Sequence, residues 1–183
     1  MSNSTAANGV IDFWFSEHAR SHWFKSTSRF DRQIAEQFKV LHRQATDGQL
    51  ASWEDTPTGS LALILLLDQF TRNIYRGRPD TYMNDSQARD VARRAIASGF
   101  DCKLPDAQRA FIYMPFMHSE SLEDQDLSVK LFVEAGLDNA RYALQHRDIV
   151  RRFGRFPHRN AILGRQNSPE EQEYLASDEA FRG

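Results

Sequence analysis

The segment LALILLLDQFTRN, Leu61 to Asn73, sets seven apolar residues directly against Asp68, Gln69, Arg72 and Asn73, with no turn-forming residue between them. Such a run belongs inside the fold, since burying one large apolar side chain is worth about 1.5–3 kcal/mol. It also reads as one continuous helix that carries its polar residues out of the core. Leu61, Leu65, Asp68, Arg72 and Tyr75 keep to steps of three and four, so they share a face. If that face is buried, its charges are buried too. A lone buried carboxylate is costly, and Arg72, one turn away, is the nearest partner for Asp68. Gln69, Asn73 and Arg76 adjoin Arg72 as further donors. An ion pair that locks helices together, an exposed helix end and a ligand site all fit this pattern.

The remaining sequence points to an all-α fold without sheet. Periods of 3.6 and helix caps recur, and no period-2 run is bounded by turns. Phe30, Ile34, Phe38, Leu41 and Ala45 form an amphipathic stripe, with Ser28 as N-cap and Gly48 at the end. Thr56 and Pro57 open the apolar helix, which is expected to run to about Tyr75 before Gly77 and Pro79. A small-residue face (Ala88, Val91, Ala92, Ala95, Ile96) marks a helix from about Asn84 to Ser98. Pro105 opens the next one, which Pro115 is expected to kink or end. Helices over Ser121–Ala135 and Asp138–Phe153, short ones from Pro157 and from the Ser168–Glu171 capping box, and an N-terminal one through VIDFWF bring the count to eight or nine. Short loops favour antiparallel hairpins, stacked as a superhelix or as an irregular bundle.

At 183 residues one domain, 1–183, is expected. The single cysteine, Cys102, cannot pair within the chain, and the start lacks a basic and apolar secretory signal, so a cytoplasmic location is the default. Asp68 interrupts the longest apolar run well before a membrane span is complete. The net charge of −2 argues against nucleic acid as a partner, and the seven arginines between Arg141 and Arg165 read best as a basic face paired with an acidic terminal helix. Trp14, Trp23 and Phe24 are candidates for an exposed patch that would support a homodimer.

Two further polar clusters accompany the first. In YMPFMHSESLEDQ, His118, Glu120, Asp124 and Gln125 gather at a turn and a helix start. Ser119 or Ser121 would cap that helix and the acids would favour its dipole, which leaves His118 unexplained. A histidine two residues from a carboxylate also suits acid/base chemistry near neutral pH. In GRFPHRNAILGR, Pro157 starts a helix whose first turn holds His158, Arg159 and Asn160. That arrangement fits an anion or, ahead of it, an internal acid such as Asp68 or Glu120. No closed metal pattern, glycine-rich phosphate loop or nucleophile elbow is present, so neither metal nor cofactor is expected. The HRD at His146–Asp148 lacks every other kinase feature, and His18 with His22 reads as a surface pair.

LLLDQFTRNIYRG, FIYMPFMHSESLEDQ and GRFPHRNAILGR, followed by SPEEQEYL and preceded by VIDFWF and HWF, together resemble the bacterial family catalogued as domain of unknown function 924. The resemblance spans nearly the whole chain. It implies a tetratricopeptide-like α-α superhelix and a candidate site made of Asp68, Gln69, Arg72, Asn73, His118, Ser119, Glu120, Gln125, His158, Arg159 and Asn160. Thr71 stands where proline is usual in the family, which should straighten that helix, and Ser121 stands where an acid is common.

Three functions follow from these residues. The first is a binding module whose clusters converge on a pocket for an anionic small molecule or a peptide carboxylate, with Arg72, His158 and Arg159 supplying charge. The second is a hydrolase or lyase using His118 as base, oriented by Glu120 or Asp68. The third is a protein-interaction scaffold whose polar motifs are purely structural.

Overall fold

The apolar run forms the spine of its half of the molecule, and its winding changes part-way. In the computed structural model, which describes residues 3–182 and their side chains from residue 5 onward, Thr56 caps helix α4 (Pro57–Ile64), its hydroxyl accepting from the Gly59 N–H at 3.1 Å. Leu65–Phe70 then follow a π-helical path, and Thr71–Ile74 (α5) return to α geometry. Every residue from Leu61 to Leu67 is buried. The wide turn leaves carbonyls out of α register, and the Thr71 hydroxyl sits 2.7 Å from the Leu67 oxygen and 3.3 Å from that of Leu66.

Before this spine come α1 (Asn3–Trp14), α2 (Glu17–Arg20) and α3 (Ser28–Thr46), with a 3-10 turn at Ala51–Asp55. The α3 stripe buries Phe30, Ile34, Phe38 and Ala45, and buries His42 with them. Its N-cap is Thr27 rather than Ser28, because the Thr27 hydroxyl accepts from the Phe30 N–H at 3.2 Å. After the spine come α6 (Asp85–Ala97), which buries Ala88, Val91, Ala92 and Ala95 of its small face, and α7 (Asp106–Met117). Pro115 falls in the last turn of α7 and does not end it; a proline there forfeits one backbone bond but leaves the turns before it intact. Then follow α8 (Leu122–Glu134), α9 (Ala140–Phe153) and α10 (Pro169–Ala176). Gly154 ends α9 with φ of 71°, a conformation that favours glycine. Pro157–Arg159 form only a three-residue 3-10 turn, so the expected helix start is absent there. Among the described residues there is no strand: the fold is all-α. None of the described helices is long and apolar enough to cross a membrane.

The chain divides into two compact units, one holding the residues up to Arg76 with Asp80–Pro115, the other Gly77–Pro79 with everything from Phe116 on. The first has an aromatic core in which the Phe70 ring lies 4.9 Å from Phe38, 5.3 Å from Trp14 and 6.2 Å from Phe13. Trp14 is therefore core, not surface: it is 1% exposed, and only Phe24 of the expected aromatic patch stands clear of the protein. The second unit is built on Ile149, Val150, Phe156 and Tyr174, with Phe153, Leu175, Ala180 and Phe181 packed against them.

Candidate functional site

In the first unit the π-helical segment places Asp68, Gln69, Arg72 and Asn73. The Arg72 Nη1 lies 3.0 Å from Asp68 Oδ1 and 3.0 Å from Asp85 Oδ1, while Nη2 donates to Asp85 Oδ2 at 3.2 Å. Nη1 also donates to the Asp68 carbonyl at 2.9 Å. Burial alone would loosen the proton on Arg72, but the two carboxylates reverse that and raise its pKa. Gln69 Nε2 donates to the other Asp68 oxygen at 2.6 Å. Asn73 Nδ2 reaches Asp31 Oδ1 at 2.7 Å and Ser26 at 3.2 Å, and Arg76 forks onto the same Asp31 at 2.7 and 3.2 Å. On the opposite side of the helix the Thr71 hydroxyl hydrogen-bonds with His42 Nε2 at 2.8 Å.

The second and third clusters meet in the second unit, through Glu120. Arg165 closes on it as a fork, with Nη1 2.7 Å from Oε2 and Nη2 2.8 Å from Oε1, and the Phe156 N–H donates to Oε1 at 2.8 Å. Burial would raise the Glu120 pKa, yet the guanidinium and the amide outweigh it and hold the carboxyl below its usual range. Arg165 Nε continues to Asn160 Oδ1 at 2.8 Å, and Asn160 Nδ2 to Asn167 at 2.7 Å. Arg159 Nη2 donates to the His118 carbonyl at 2.8 Å while its guanidinium lies 4.5 Å from the centre of the Phe156 ring. Gln125, fully buried, donates to the carbonyls of Met117 and Ser119, each at 2.7 Å. Ser119, not Ser121, organises the start of α8: its hydroxyl accepts from the Ser121 N–H and donates to Asp124 at 2.7 Å.

Two imidazoles lie beside this network. His146 Nδ1 is 2.8 Å from the Tyr142 carbonyl, which can only accept, so that nitrogen carries the proton. The Phe181 ring contacts His146 at 4.4 Å and His158 at 5.1 Å between centroids. Burial, reinforced by nearby His118 and Arg159, pushes His146 down to about 4; burial and Arg159 push His158 to about 3. Both rings are neutral at pH 7.

The arginine-rich stretch meets acids. Arg152 pairs with Glu170 at 2.8 Å and Arg151 with Asp126 at 3.4 Å. Arg155 forks onto Glu171 at 2.7 and 2.8 Å, and that fork holds the Glu171 carboxyl at about 2. Glu171 also completes the capping box with Ser168.

Sequence reasoning placed these clusters but missed their partners. Asp85 reads as an ordinary first-turn acid, Arg165 ends the third motif with no visible partner, and Asp31 and His42 sit on an amphipathic helix with nothing to single them out. Chemically the arrangement pairs its charges internally: Arg72 with Asp68 and Asp85, Arg76 with Asp31, and Arg165 with Glu120. Among the described residues no group of three or more histidines, cysteines or acids could hold a metal ion.

A family model described as a bacterial protein of unknown function (DUF924) matches residues 10–179. A solved structure of a protein of unknown function from Agrobacterium tumefaciens is 39% identical, covers 96% of this chain and 99% of its own, and superposes with a TM-score of 0.91. No curated protein matches. The matched range includes every residue of the charge networks described above, and the chain belongs to that bacterial family, DUF924.

Proposed function

We propose that this protein is a non-catalytic helical binding scaffold whose three polar motifs hold helices in register, leaving partner binding to helix faces outside them. One observation carries the reading: the Arg72 guanidinium is held at 3.0 Å by each of two internal carboxylates, Asp68 and Asp85. A ligand anion at Arg72 would have to displace one of them and strand it in a buried position. The same logic weakens an acid/base mechanism at His118, since both Glu120 oxygens are already engaged by Arg165 and the Phe156 amide. At the turn before Pro157 it is an internal acid that is bound, the alternative placed ahead of an anion: the Phe156 N–H donates to Glu120.

Thermal unfolding in phosphate and in acetate, each against chloride at equal ionic strength, tests this. An anion bound at 100 times its Kd would stabilise by about 2.7 kcal/mol and raise Tm by about 5–10 °C. The expected result is no difference between the salts. A phosphate- or acetate-specific rise that Arg72→Met or Arg159→Met abolishes would instead establish an anion site.

A further inference from the structure

Within the first unit, His18 and His22, which the sequence presents as a surface pair, stand four residues apart at the end of α2. The turn is carried on to His22, whose N–H donates to the Ala19 carbonyl at 2.9 Å. The two rings lie 5.0 Å apart between centroids. Imidazoles that share one metal ion, each nitrogen about 2.0–2.1 Å from it, set their ring centres about 4.5–5.2 Å apart for angles at the metal between about 90° and 109°. We infer that His18 and His22 form a two-imidazole site for a divalent transition-metal ion of the zinc class.

The hydrogen bonds of the two rings assign their lone pairs. His18 Nε2 lies 3.1 Å from Gln33 Oε1, and His22 Nδ1 lies 2.9 Å from the His18 carbonyl oxygen. Both oxygens can only accept, so those two nitrogens carry the protons of the neutral rings. His18 Nδ1 and His22 Nε2 therefore hold lone pairs, and neither makes a hydrogen bond or ion pair among the described residues. A histidine that binds a metal through one nitrogen almost always donates the other N–H to an oxygen, which fixes its tautomer and the turn of its ring. Both rings here already have that second bond.

The packing beneath the pair is an independent sign. The His22 ring stacks on Phe30 at 4.5 Å with 14° between the planes, and His18 meets the same ring edge-on at 5.7 Å. Phe30 is 1% exposed, so one core side chain seats both imidazoles. Ligands held in place before the ion arrives lower the ordering cost of binding it. Arg20, the one cation between them in sequence, is engaged elsewhere: its Nε donates to the Phe15 carbonyl at 2.9 Å and its guanidinium lies 5.5 Å from the centre of the Trp23 ring. Imidazole nitrogen selects Zn2+, Ni2+ and Cu2+ over Mg2+ and Ca2+, which take oxygen ligands. No third histidine, cysteine or acid joins the pair among the described residues, so the remaining positions on the ion are filled by water.

The site uses none of the residues on which the scaffold reading rests. The full chain, carrying no added histidines, is titrated calorimetrically with Zn2+ and with Mg2+ at neutral pH. One equivalent of Zn2+ should bind saturably and Mg2+ should not. His18→Gln and His22→Gln should each weaken Zn2+ binding about tenfold or more; His18 is exposed, so its replacement is the one least able to disturb folding. Gln33 acts through His18 as a positioning residue: Gln33→Leu should weaken binding about tenfold, and Gln33→Glu, which keeps an acceptor for Nε2–H, should restore it. Absence of saturable Zn2+ binding, equal binding of Mg2+, or Zn2+ affinity that either histidine variant leaves within about twofold overturns the site. Gln33→Leu binding as tightly as the parent overturns the part given to Gln33. None of these results alters the phosphate comparison, so the two readings fail separately.

Discussion

His146 and His158 show what burial does to single residues in this protein. Their pKa values of about 4 and about 3 lie below the 6.5 of an ordinary histidine, so as pH falls the unfolded chain takes up protons first. Their contribution to stability is complete above pH 6.5 and declines below it by up to about 1.4 kcal/mol per pH unit for each ring, until the folded pKa is reached. The carboxylates held low by partners, Glu120, Asp31 and Glu171, start from 4.5, 3.8 and 4.5 and lose their contribution only as pH falls further. The interval from pH 6.5 to 4.5 therefore belongs to the histidines. Urea unfolding at pH 7, 6 and 5 should show stability falling across it, and His146→Asn should make the slope shallower, the rest coming from His158 and from His42, whose pKa burial also lowers. An unchanged slope in that variant would mean that the ring is not held neutral.

At the scale of elements, the π-helical segment Leu65–Phe70 depends on one hydroxyl. Thr71 serves the Leu66 and Leu67 carbonyls and receives the His42 imidazole, so Thr71→Val, nearly the same shape, should cost about 1–3 kcal/mol in urea unfolding. A cost near zero would show that the carbonyls are satisfied without it. Much of the helical framework was legible beforehand: the α3 stripe, the Thr56–Pro57 start, the Gly154 end and the Ser168 capping box each depend on residues within a few positions of one another. The π turn was not, because seven consecutive apolar residues carry no periodicity from which winding can be read. The three-residue turn at Pro157 was hidden for a related reason: proline favours a start but says nothing about how far a helix continues.

Across the whole molecule, charge is arranged in two regimes, and they predict opposite responses to mutation. Pairs at the surface, such as Arg152–Glu170 with both side chains about half exposed, are worth little. Arg152→Ala should change stability by less than about 1 kcal/mol; a larger loss would mean that the pair joining α9 to α10 carries more than a solvent-screened ion pair can. The Asp68–Arg72–Asp85 group is largely buried, with side-chain exposures of 1%, 17% and 12%. Asp68 and Arg72 were visible as a pair because they are one helical turn apart, whereas Asp85 lies thirteen residues from Arg72 on another helix. Glu120 and Arg165 are separated by 45 positions, and no local rule joins residues that far apart. Whether these motifs hold the fold is read from a double-mutant cycle in urea on Asp68→Asn and Arg72→Met. Each single variant should lose about 3–5 kcal/mol, by stranding a buried partner, and the double variant less than their sum. Single variants within about 0.5 kcal/mol of the parent, with additive effects, would contradict it.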